Sequence, residues 1–307
     1  MRAITYSKFG SADVLELTEQ PDPHIGPDTL LVRVRAASVN PVDWKIRQGY
    51  LEGLIDTELP AIPGWDVAGV VEQVGLDTPE FQVGDEVYGY VRKDTVKGGT
   101  FAELVAAPVR TLARKPSSLS FEEAAAVPLA GLTAYQAIRR AGVTEGQTVL
   151  VHAAAGGVGA FGVQLATALG ARVIGTASER NHEFLRGLGA EPVTYGDGLA
   201  DRVRAIAPDG VDVALDFAGG DAVATSAELL ADGGTIASIA DATARTEHGG
   251  HYVWVRPSTE DLDALTALFD SGKLSVEIAQ TFDLAEAAAA HRASETGHTR
   301  GKVVVRV

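Results

Sequence analysis

The chain has 307 residues, of which 46% are hydrophobic and 22% are charged, so it is long enough for two globular domains of ordinary size. Its formal net charge of -15 at pH 7 disfavours nonspecific binding to nucleic acid, because the phosphate backbone would repel it. The absence of cysteine excludes disulfides, thiol catalysis and cysteine-ligated zinc. The first residues lack the apolar stretch of a signal peptide, so we expect a cytoplasmic protein.

The first third of the chain is dominated by short β-type runs that prolines and glycines interrupt. The predicted strands are 30–36, 67–74, 86–91 and 101–106. This texture predicts a compact all-β or partly open barrel region. An Ala/Glu-rich helix over 121–126 follows, and a second helix is predicted to start at Pro128.

From Gly146 onward, strands alternate with helices. Strands are predicted at 149–152, 172–176, 193–195, 211–216, 234–239 and 252–255, and the segments between and after them have helical patterns. This alternation predicts a parallel, doubly wound sheet. After Gly272 come one strand, a short Ala-rich helix and a final strand, which we interpret as a return to the first domain. We therefore predict a β domain formed by 1–118 and 274–307, and a nucleotide-binding domain over 119–273.

The most informative motif is a glycine turn between a short apolar strand and a helix. Ala154, Gly156 and Gly159 take the three small-residue positions of a dinucleotide-binding fingerprint. Gly156 would let the backbone approach a pyrophosphate, Gly157 would widen the opening, and Gly159 would let the helix lie close to the strand. With Val158, these residues are the predicted phosphate contacts, because free N–H groups at a helix start attract anions.

The same stretch, 149–171, contains no charged residue, so a membrane helix is an alternative. His152, Gln164 and five glycines in the run argue against it, and the strand–turn–helix pattern accounts for every glycine. We therefore expect no membrane association.

Several motifs occur in an order that resembles one known family. They lie at 37–43, 63–69, 83–87, 98–103, 128–134, 153–159, 211–216 and 297–303. The chain resembles the zinc-independent quinone oxidoreductases of the medium-chain dehydrogenase/reductase superfamily. The resemblance implies an α/β protein with a GroES-like β-barrel domain and a Rossmann domain, with the site in the cleft between them and NADPH as the common cofactor. The run Asn-Pro-Val-Asp-Trp-Lys from Asn40 is closest to the branch that reduces enones and quinones, which includes chloroplast-type alkenal reductases.

The end of the second nucleotide-domain strand indicates which nicotinamide cofactor is used. NAD-binding versions of this fold place an acid there, whereas this chain has Ser178, followed by Arg180. A serine can donate to a 2′-phosphate and an arginine can pair with it, so NADPH is favoured over NADH. Glu179 is a counter-argument, because it would repel that phosphate if it pointed inward. Tyr195 resembles the family tyrosine beside the adenosine phosphate, with a plain strand-end tyrosine as the alternative.

Other residues are predicted to border the cofactor, some with alternatives left open. They are Thr133, Ala218, Gly219, Val253, Val255 and Lys302. Lys302 and Arg300 would add positive charge near the phosphate, with ordinary solvated positions as the alternative. Asp216 ends a strand and is predicted to cap the following helix rather than act in catalysis. As an edge strand, 252–255 would also allow pairing with a second subunit, so we expect a homodimer.

No metal site is expected. Zinc alcohol dehydrogenases of the same superfamily place a cysteine near the position of Asn40 and a His-Glu pair where this chain has Trp65 and Asp66. The seven histidines are scattered without paired spacing. Without zinc as a Lewis acid, oxidation of simple alcohols lacks its usual activator, whereas a conjugated acceptor spreads the developing negative charge itself.

The predicted reaction is hydride transfer from NADPH to an enone β-carbon or to a quinone. Asn40 is a candidate carbonyl or nicotinamide contact, Lys45 a candidate to polarise the carbonyl or relay a proton, and Tyr50 a weaker candidate for a site wall or proton source. The alternatives are a turn-forming Asn40 and a snorkelling surface Lys45. Two other functions remain open: an enoyl-thioester reductase acting on a biosynthetic substrate, and a non-catalytic NADPH-binding protein.

Overall fold

The computed structural model describes residues 1–307, and the chain forms two compact units. The first unit comprises 1–129 and 256–307, and the second comprises 130–255. The sequence predicts divisions at 118/119 and 273/274 instead. The shift arises because the helix after residue 258 attaches to the first unit: the Tyr88 hydroxyl donates to the Leu262 carbonyl at 2.7 Å, and the Ser118 N–H donates to Asp270 Oδ1 at 3.1 Å.

Seventeen strands and ten α-helices make up the regular structure. The strands are β1 (Arg2–Thr5), β2 (Glu16–Glu19), β3 (Thr29–Val39), β4 (Asp56–Thr57), β5 (Asp66–Val74), β6 (Glu86–Tyr90), β7 (Thr95–Val96), β8 (Leu104–Pro108), β9 (Leu112–Arg114), β10 (Thr148–Val151), β11 (Arg172–Ala177), β12 (Ala190–Thr194), β13 (Val211–Asp216), β14 (Leu230–Ser238), β15 (His251–Tyr252), β16 (Ile278–Asp283) and β17 (Lys302–Arg306). The helices are α1 (Pro41–Arg47), α2 (Phe121–Ala125), α3 (Pro128–Ala141), α4 (Gly157–Ala168), α5 (His182–Gly187), α6 (Leu199–Ile206), α7 (Ala222–Ala227), α8 (Thr243–Thr246), α9 (Thr259–Asp270) and α10 (Ala287–Glu295).

The first unit is built on a seven-stranded sheet in the order β16-β17-β3-β5-β6-β9, with β8 also paired to β3. All pairs are antiparallel except β16 with β17. Alternating apolar side chains from β3, β5 and β8 fill one core, which includes Val32, Val67 and Val105. The predicted β region is thus confirmed, and the C-terminal tail joins its sheet as the sequence predicts.

The second unit contains a six-stranded parallel sheet in the order β12-β11-β10-β13-β14-β15. Counted from its first strand, this is the 3-2-1-4-5-6 order of a Rossmann fold. Leu150, Ile174 and Ala214 are fully buried in the centre of the sheet. The predicted doubly wound sheet is confirmed, and the carboxyl ends of its strands share one edge, where such folds bind ligands.

The uncharged run at 149–171 forms β10, a turn and α4 rather than one long helix. Across the structure, no helix combines the length and the apolar character needed to span a bilayer.

A few elements differ from their predicted bounds. β8 begins three residues after the predicted start, because the Phe101 N–H donates to the Pro63 carbonyl instead of to a neighbouring strand. The predicted helix after Ser178 starts as a 3-10 turn and becomes α-helical only at His182. The predicted strand at 252–255 shortens to β15, although the Val253 N–H still donates to the Ser238 carbonyl at 2.8 Å.

Candidate functional site

The glycine turn lies between β10 and α4. After β10 the backbone passes through Ala153, whose φ of 51° makes it the one non-glycine residue in the left-handed region. The Ala154 N–H donates to the Thr176 carbonyl at 3.0 Å, and the Gly156 N–H donates to the Ala153 carbonyl at 2.9 Å. These bonds fix the turn against the neighbouring strand, and α4 begins immediately after it at Gly157.

Gly159 explains why the turn needs small residues. A Cβ atom there would lie 2.2 Å from the Ala153 carbonyl oxygen and 2.7 Å from the Ala154 Cα, so the helix and the turn are in backbone contact. At Gly156 the nearest atom to an added Cβ is 3.2 Å away. The first N–H groups of α4 have no acceptor within the helix, and no acidic residue lies in its first turn. This arrangement fits a bound pyrophosphate.

Three predicted 2′-phosphate residues lie at the carboxyl ends of the adjacent strands. Ala177 of β11 is paired with Thr194 of β12, so the residues that follow them, Ser178 and Tyr195, leave the sheet side by side. Tyr195 is 54% exposed, and Arg180 is exposed in the 3-10 turn after Ser178. The structure therefore brings Ser178, Arg180 and Tyr195 to the same sheet edge as the glycine turn.

Asp216 organises the next part of this edge. Its Oδ1 accepts from the Ala218 and Gly219 N–H groups, both at 2.8 Å, and its Oδ2 accepts from the Ser238 hydroxyl at 2.6 Å. The predicted helix-capping role is wrong, because α7 begins only at Ala222 and Asp216 instead holds the preceding loop.

The remaining predicted contacts of this unit divide between buried and accessible positions. Val253 is buried after β15, and Val255 is half-buried. Thr133 is buried in α3. All three belong to the second unit, and their contact with the cofactor stays a prediction.

In the first unit, Asn40 lies in a buried polar cluster. Its Nδ2 donates to Asp66 Oδ2 at 2.8 Å, and its Oδ1 accepts from the Lys302 ammonium. The Ser38 hydroxyl also donates to Asp66 Oδ2, and Lys302 donates to the Val39 carbonyl at 3.2 Å. Both the nitrogen and the oxygen of the Asn40 side-chain amide are thus hydrogen-bonded, and Asn40 is only 1% exposed.

Lys302 was the least predictable member of this cluster. Its side chain is 5% exposed and lies 3.8 Å from the Asp66 carboxylate, so the solvated position considered for it is wrong. Arg300, by contrast, is exposed and pairs with Glu277. Lys302 follows Gly301 and precedes three consecutive valines, and nothing local marks it as buried.

Burial dominates the electrostatics of the cluster. It lowers the pKa of Lys302 and raises the pKa of Asp66, while the attraction between the two opposes both shifts. Burial also raises the pKa of Asp43 to about 7, against the effect of its hydrogen bond from the Asn40 N–H at 2.7 Å. Asp66 Oδ1 accepts in addition from the Leu129 N–H at the start of α3, so one carboxylate links several chain segments.

Lys45 and Tyr50 are placed differently from Asn40. Lys45 is exposed, with its ammonium 5.6 Å from the centre of the Trp44 ring, and Tyr50 is 69% exposed in the loop after α1. The structure does not bring these two side chains into the buried cluster. They are available at the surface of the first unit, whereas Asn40 is not.

No three or more His, Cys, Asp or Glu side chains are grouped so that they could hold a metal ion. Trp65 occupies the position that the resemblance aligns with a histidine of zinc alcohol dehydrogenases. Its ring contacts Tyr90 edge-on, with 5.9 Å between ring centres. Asp66 is engaged by Ser38, Asn40 and Lys302 as described above.

Comparison with known proteins gives matches along most of the chain. The family model for the alcohol dehydrogenase GroES-like domain matches residues 26–117, and the model described as zinc-binding dehydrogenase matches 188–305. The chain is 36% identical to 2-methylene-furan-3-one reductase of Solanum lycopersicum and 36% identical to the chloroplastic NADPH-dependent alkenal/one oxidoreductase of Arabidopsis thaliana, over 99% of this chain and 79% of each relative. The solved quinone oxidoreductase of Coxiella burnetii is 38% identical, with a TM-score of 0.89 over 100% of this chain and 99% of that one.

A Rossmann sheet with a glycine turn, in one chain with a GroES-like β domain, indicates a nucleotide-dependent oxidoreductase. The chain belongs to the quinone oxidoreductase-like family of the medium-chain dehydrogenase/reductase superfamily.

Proposed function

We propose that the protein is an NADPH-dependent reductase of quinones or α,β-unsaturated carbonyl compounds. The observation that carries this proposal is the glycine turn before α4: at Gly159 the helix backbone packs against the Ala153 carbonyl, and the first N–H groups of α4 have no acceptor within the helix. It lies at the sheet edge that also presents Ser178, Arg180 and Tyr195.

NADPH, when bound, supplies the hydride of this reaction. The N–H groups at the start of α4 would hold its pyrophosphate, and Ser178, Arg180 and Tyr195 would bind the 2′-phosphate. Glu179 is exposed next to them, so water can screen its charge. The loop that Asp216 holds, at Ala218 and Gly219, would border the rest of the cofactor.

The relatives support the substrate class. The Arabidopsis relative is an alkenal/one oxidoreductase, and the Coxiella neighbour is a quinone oxidoreductase. In an enone, hydride is added to the β-carbon and a proton to the α-carbon, which gives the saturated carbonyl compound and NADP⁺. The conjugated oxygen carries the intermediate negative charge, and the exposed Lys45 and Tyr50 are the proposed groups that meet it.

We further propose that the reaction needs no zinc. The chain has no thiolate to offer, and its histidine, aspartate and glutamate side chains do not form a donor set for a metal. Activity that survives dialysis against a strong chelator is the expected result.

The deciding experiment follows NADPH oxidation with a panel of acceptors. Quinones, alkenals and enones should accelerate it, whereas their saturated counterparts should not. An acyl-thioester with a conjugated double bond tests the thioester-reductase alternative in the same assay. If no conjugated acceptor raises the rate above that without enzyme, the reductase proposal fails and a non-catalytic NADPH-binding role takes its place.

We also propose a homodimer formed through the β15 edge. β15 has a neighbour on one side only, and Trp254 beyond it is 38% exposed. An unpaired strand edge is a template for pairing with another chain. Light scattering should give twice the chain mass of 32.0 kDa, and Trp254→Pro should shift the protein towards monomer.

A further inference from the structure

Arg202 on α6 binds the loop that follows β12. Its Nε donates to the Thr194 carbonyl at 3.0 Å, and its Nη1 donates to the Asp197 carbonyl at 2.8 Å. Its Nη2 donates to the carbonyls of Gly196 at 3.2 Å and Tyr195 at 3.5 Å. This half-buried guanidinium thus donates hydrogen bonds to the backbone carbonyls of four consecutive residues, and none of these acceptors is a carboxylate.

The loop itself has little else to hold it in one conformation. Gly196 and Gly198 lie in the left-handed region, with φ of 90° and 73°, and glycine gives an unfolded loop more freedom to lose. An added Cβ at Gly198 would lie 3.2 Å from Arg202 Nη1, so the backbone there passes close to the guanidinium. The Leu199 N–H supplies a further bond, to the Gly196 carbonyl at 3.0 Å. Tyr195 is therefore an exposed side chain on a loop fixed mainly by Arg202.

We infer that Arg202 is a positioning residue for the 2′-phosphate of NADPH, acting through the Tyr195 loop. This inference rests on the proposed function, because it assumes that NADPH binds at this sheet edge. Arg202 would act through this loop, without touching the cofactor or the reacting atoms. It holds the backbone from Thr194 to Asp197, and with it Tyr195 beside Ser178 at the ends of two paired strands.

An arginine suits this role better than a lysine. Its planar fork presents five N–H donors in fixed directions, whereas an ammonium has three donors on a flexible stem. A lysine at 202 would keep the positive charge but could not serve the same four carbonyls together. The comparison of lysine with a neutral residue therefore separates positioning from simple attraction between charges.

Arg204 provides a matched control on the same helix. It is a surface arginine whose guanidinium lies near the carboxylates of Asp201, at 3.5 Å, and Glu228, at 3.6 Å. Replacing it removes the same charge two residues away without touching the Tyr195 loop.

The test is a binding titration that needs no turnover. Adenosine 2′,5′-bisphosphate and 5′-AMP are titrated into the wild type and into the Arg202→Gln, Arg202→Lys and Arg204→Gln variants. The wild type should prefer the bisphosphate. Arg202→Gln and Arg202→Lys should both lose about tenfold of that preference, the scale of one charge-assisted hydrogen bond, while binding of 5′-AMP stays the same. Arg204→Gln should bind both ligands like the wild type.

Thermal unfolding shows whether each variant is folded, and Arg202→Lys is the fallback if Arg202→Gln is not. A double-mutant cycle with Tyr195→Ala adds a second readout: in that background, Arg202→Lys should change the preference by less than twofold, because the residue it positions is gone.

Different failures point to different causes. If Arg202→Lys keeps the wild-type preference, only charge matters and the positioning role is overturned. If all variants keep it, Arg202 has no role at this site, while the proposed cofactor stands. If the wild type itself binds the two ligands equally, the NADPH assignment fails, and the inference fails with it.

Discussion

We propose that Arg180 supplies the exposed cation that distinguishes a phosphorylated ribose from a plain one. It lies in the 3-10 turn that begins after Ser178, and Ser178 leaves the sheet beside Tyr195. A guanidinium pairs with a phosphate through two parallel hydrogen bonds, which a ribose hydroxyl cannot replace. In this proposal, cofactor choice rests on Ser178, Arg180 and Tyr195.

We predict that Arg180→Ala raises the KM for NADPH about tenfold, the value of one charge-assisted contact, and leaves the KM for NADH and both kcat values within twofold. Steady-state kinetics with each cofactor measures this. Arg186→Ala is the control, since it removes an exposed arginine of α5 that pairs with Glu183. Equal effects on NADPH and NADH would show that Arg180 does not contact the 2′-phosphate.

The placement of residues was predictable where neighbours in sequence stay neighbours in space. Ser178 and Arg180 are two residues apart, and a strand end is enough to place them together. The buried cluster was different, because Lys302 and Asn40 are separated by 262 positions and no local pattern joins them. An isolated lysine is usually solvated, so its burial follows from the sheet, which places β17 next to β3.

At the scale of elements, the turn and α4 act as one piece. Their backbones are in contact at Gly159, so any side chain there must push the helix away from the strand. The N–H groups that would face a phosphate move with it.

We expect Gly159→Val to abolish measurable NADPH binding and to lower the midpoint of thermal unfolding, because its Cβ would lie 2.2 Å from the Ala153 carbonyl oxygen. Gly187→Ala is the matched control: it lies at the end of α5 with no atom within 4 Å of an added Cβ, and should be neutral or slightly stabilising. Titration calorimetry with NADPH measures the affinity, and scanning calorimetry measures the midpoint of thermal unfolding. If Gly159→Val bound NADPH with wild-type affinity, the proposed role of the glycine turn in holding the pyrophosphate would be contradicted.

Elements with a clear apolar segment were predictable, and the shortest ones were not. β13 was predicted at its observed bounds, because Val211 and the run from Val213 to Leu215 form a short apolar segment that ends at Asp216. The two-residue strands β4 and β7 carry no periodic signal of their own. The shortening of β15 has the same origin, since a strand ends where its partner ends, and the sequence of one strand does not contain that information.

On the scale of the whole molecule, we expect the buried His291 to lower the stability of the fold in acid. The Arg47 guanidinium, which has no exposed surface, donates to His291 Nδ1 at 3.2 Å and to Glu295 at 2.6 Å, and Phe101 contacts the imidazole edge-on. Burial, helped by the charge of Arg47, lowers the pKa of His291 to about 3.

Because the unfolded chain binds this proton more readily than the folded one, the free energy of unfolding should fall as the pH drops from about 6.5 towards 3. His291→Gln keeps an acceptor for Arg47 but cannot titrate. The slope of its unfolding free energy against pH should therefore be smaller by up to about 1.4 kcal/mol per pH unit. Urea unfolding at a series of pH values measures this slope. His24→Gln, which removes an exposed imidazole, should leave the slope unchanged, and an unchanged slope in His291→Gln would refute the argument.

The place of β17 in the first sheet has a consequence for how the chain is made. This strand lies between β16 and β3, yet it follows every other strand in the sequence. A ribosome releases the chain from its N-terminus, so the second unit emerges complete while the first still lacks an inner strand. Until residue 306 leaves the exit tunnel, β3 has no partner for residues 36–39 on one side, because β8 covers only residues 29–33 there. Newly made protein is then most exposed to mispairing.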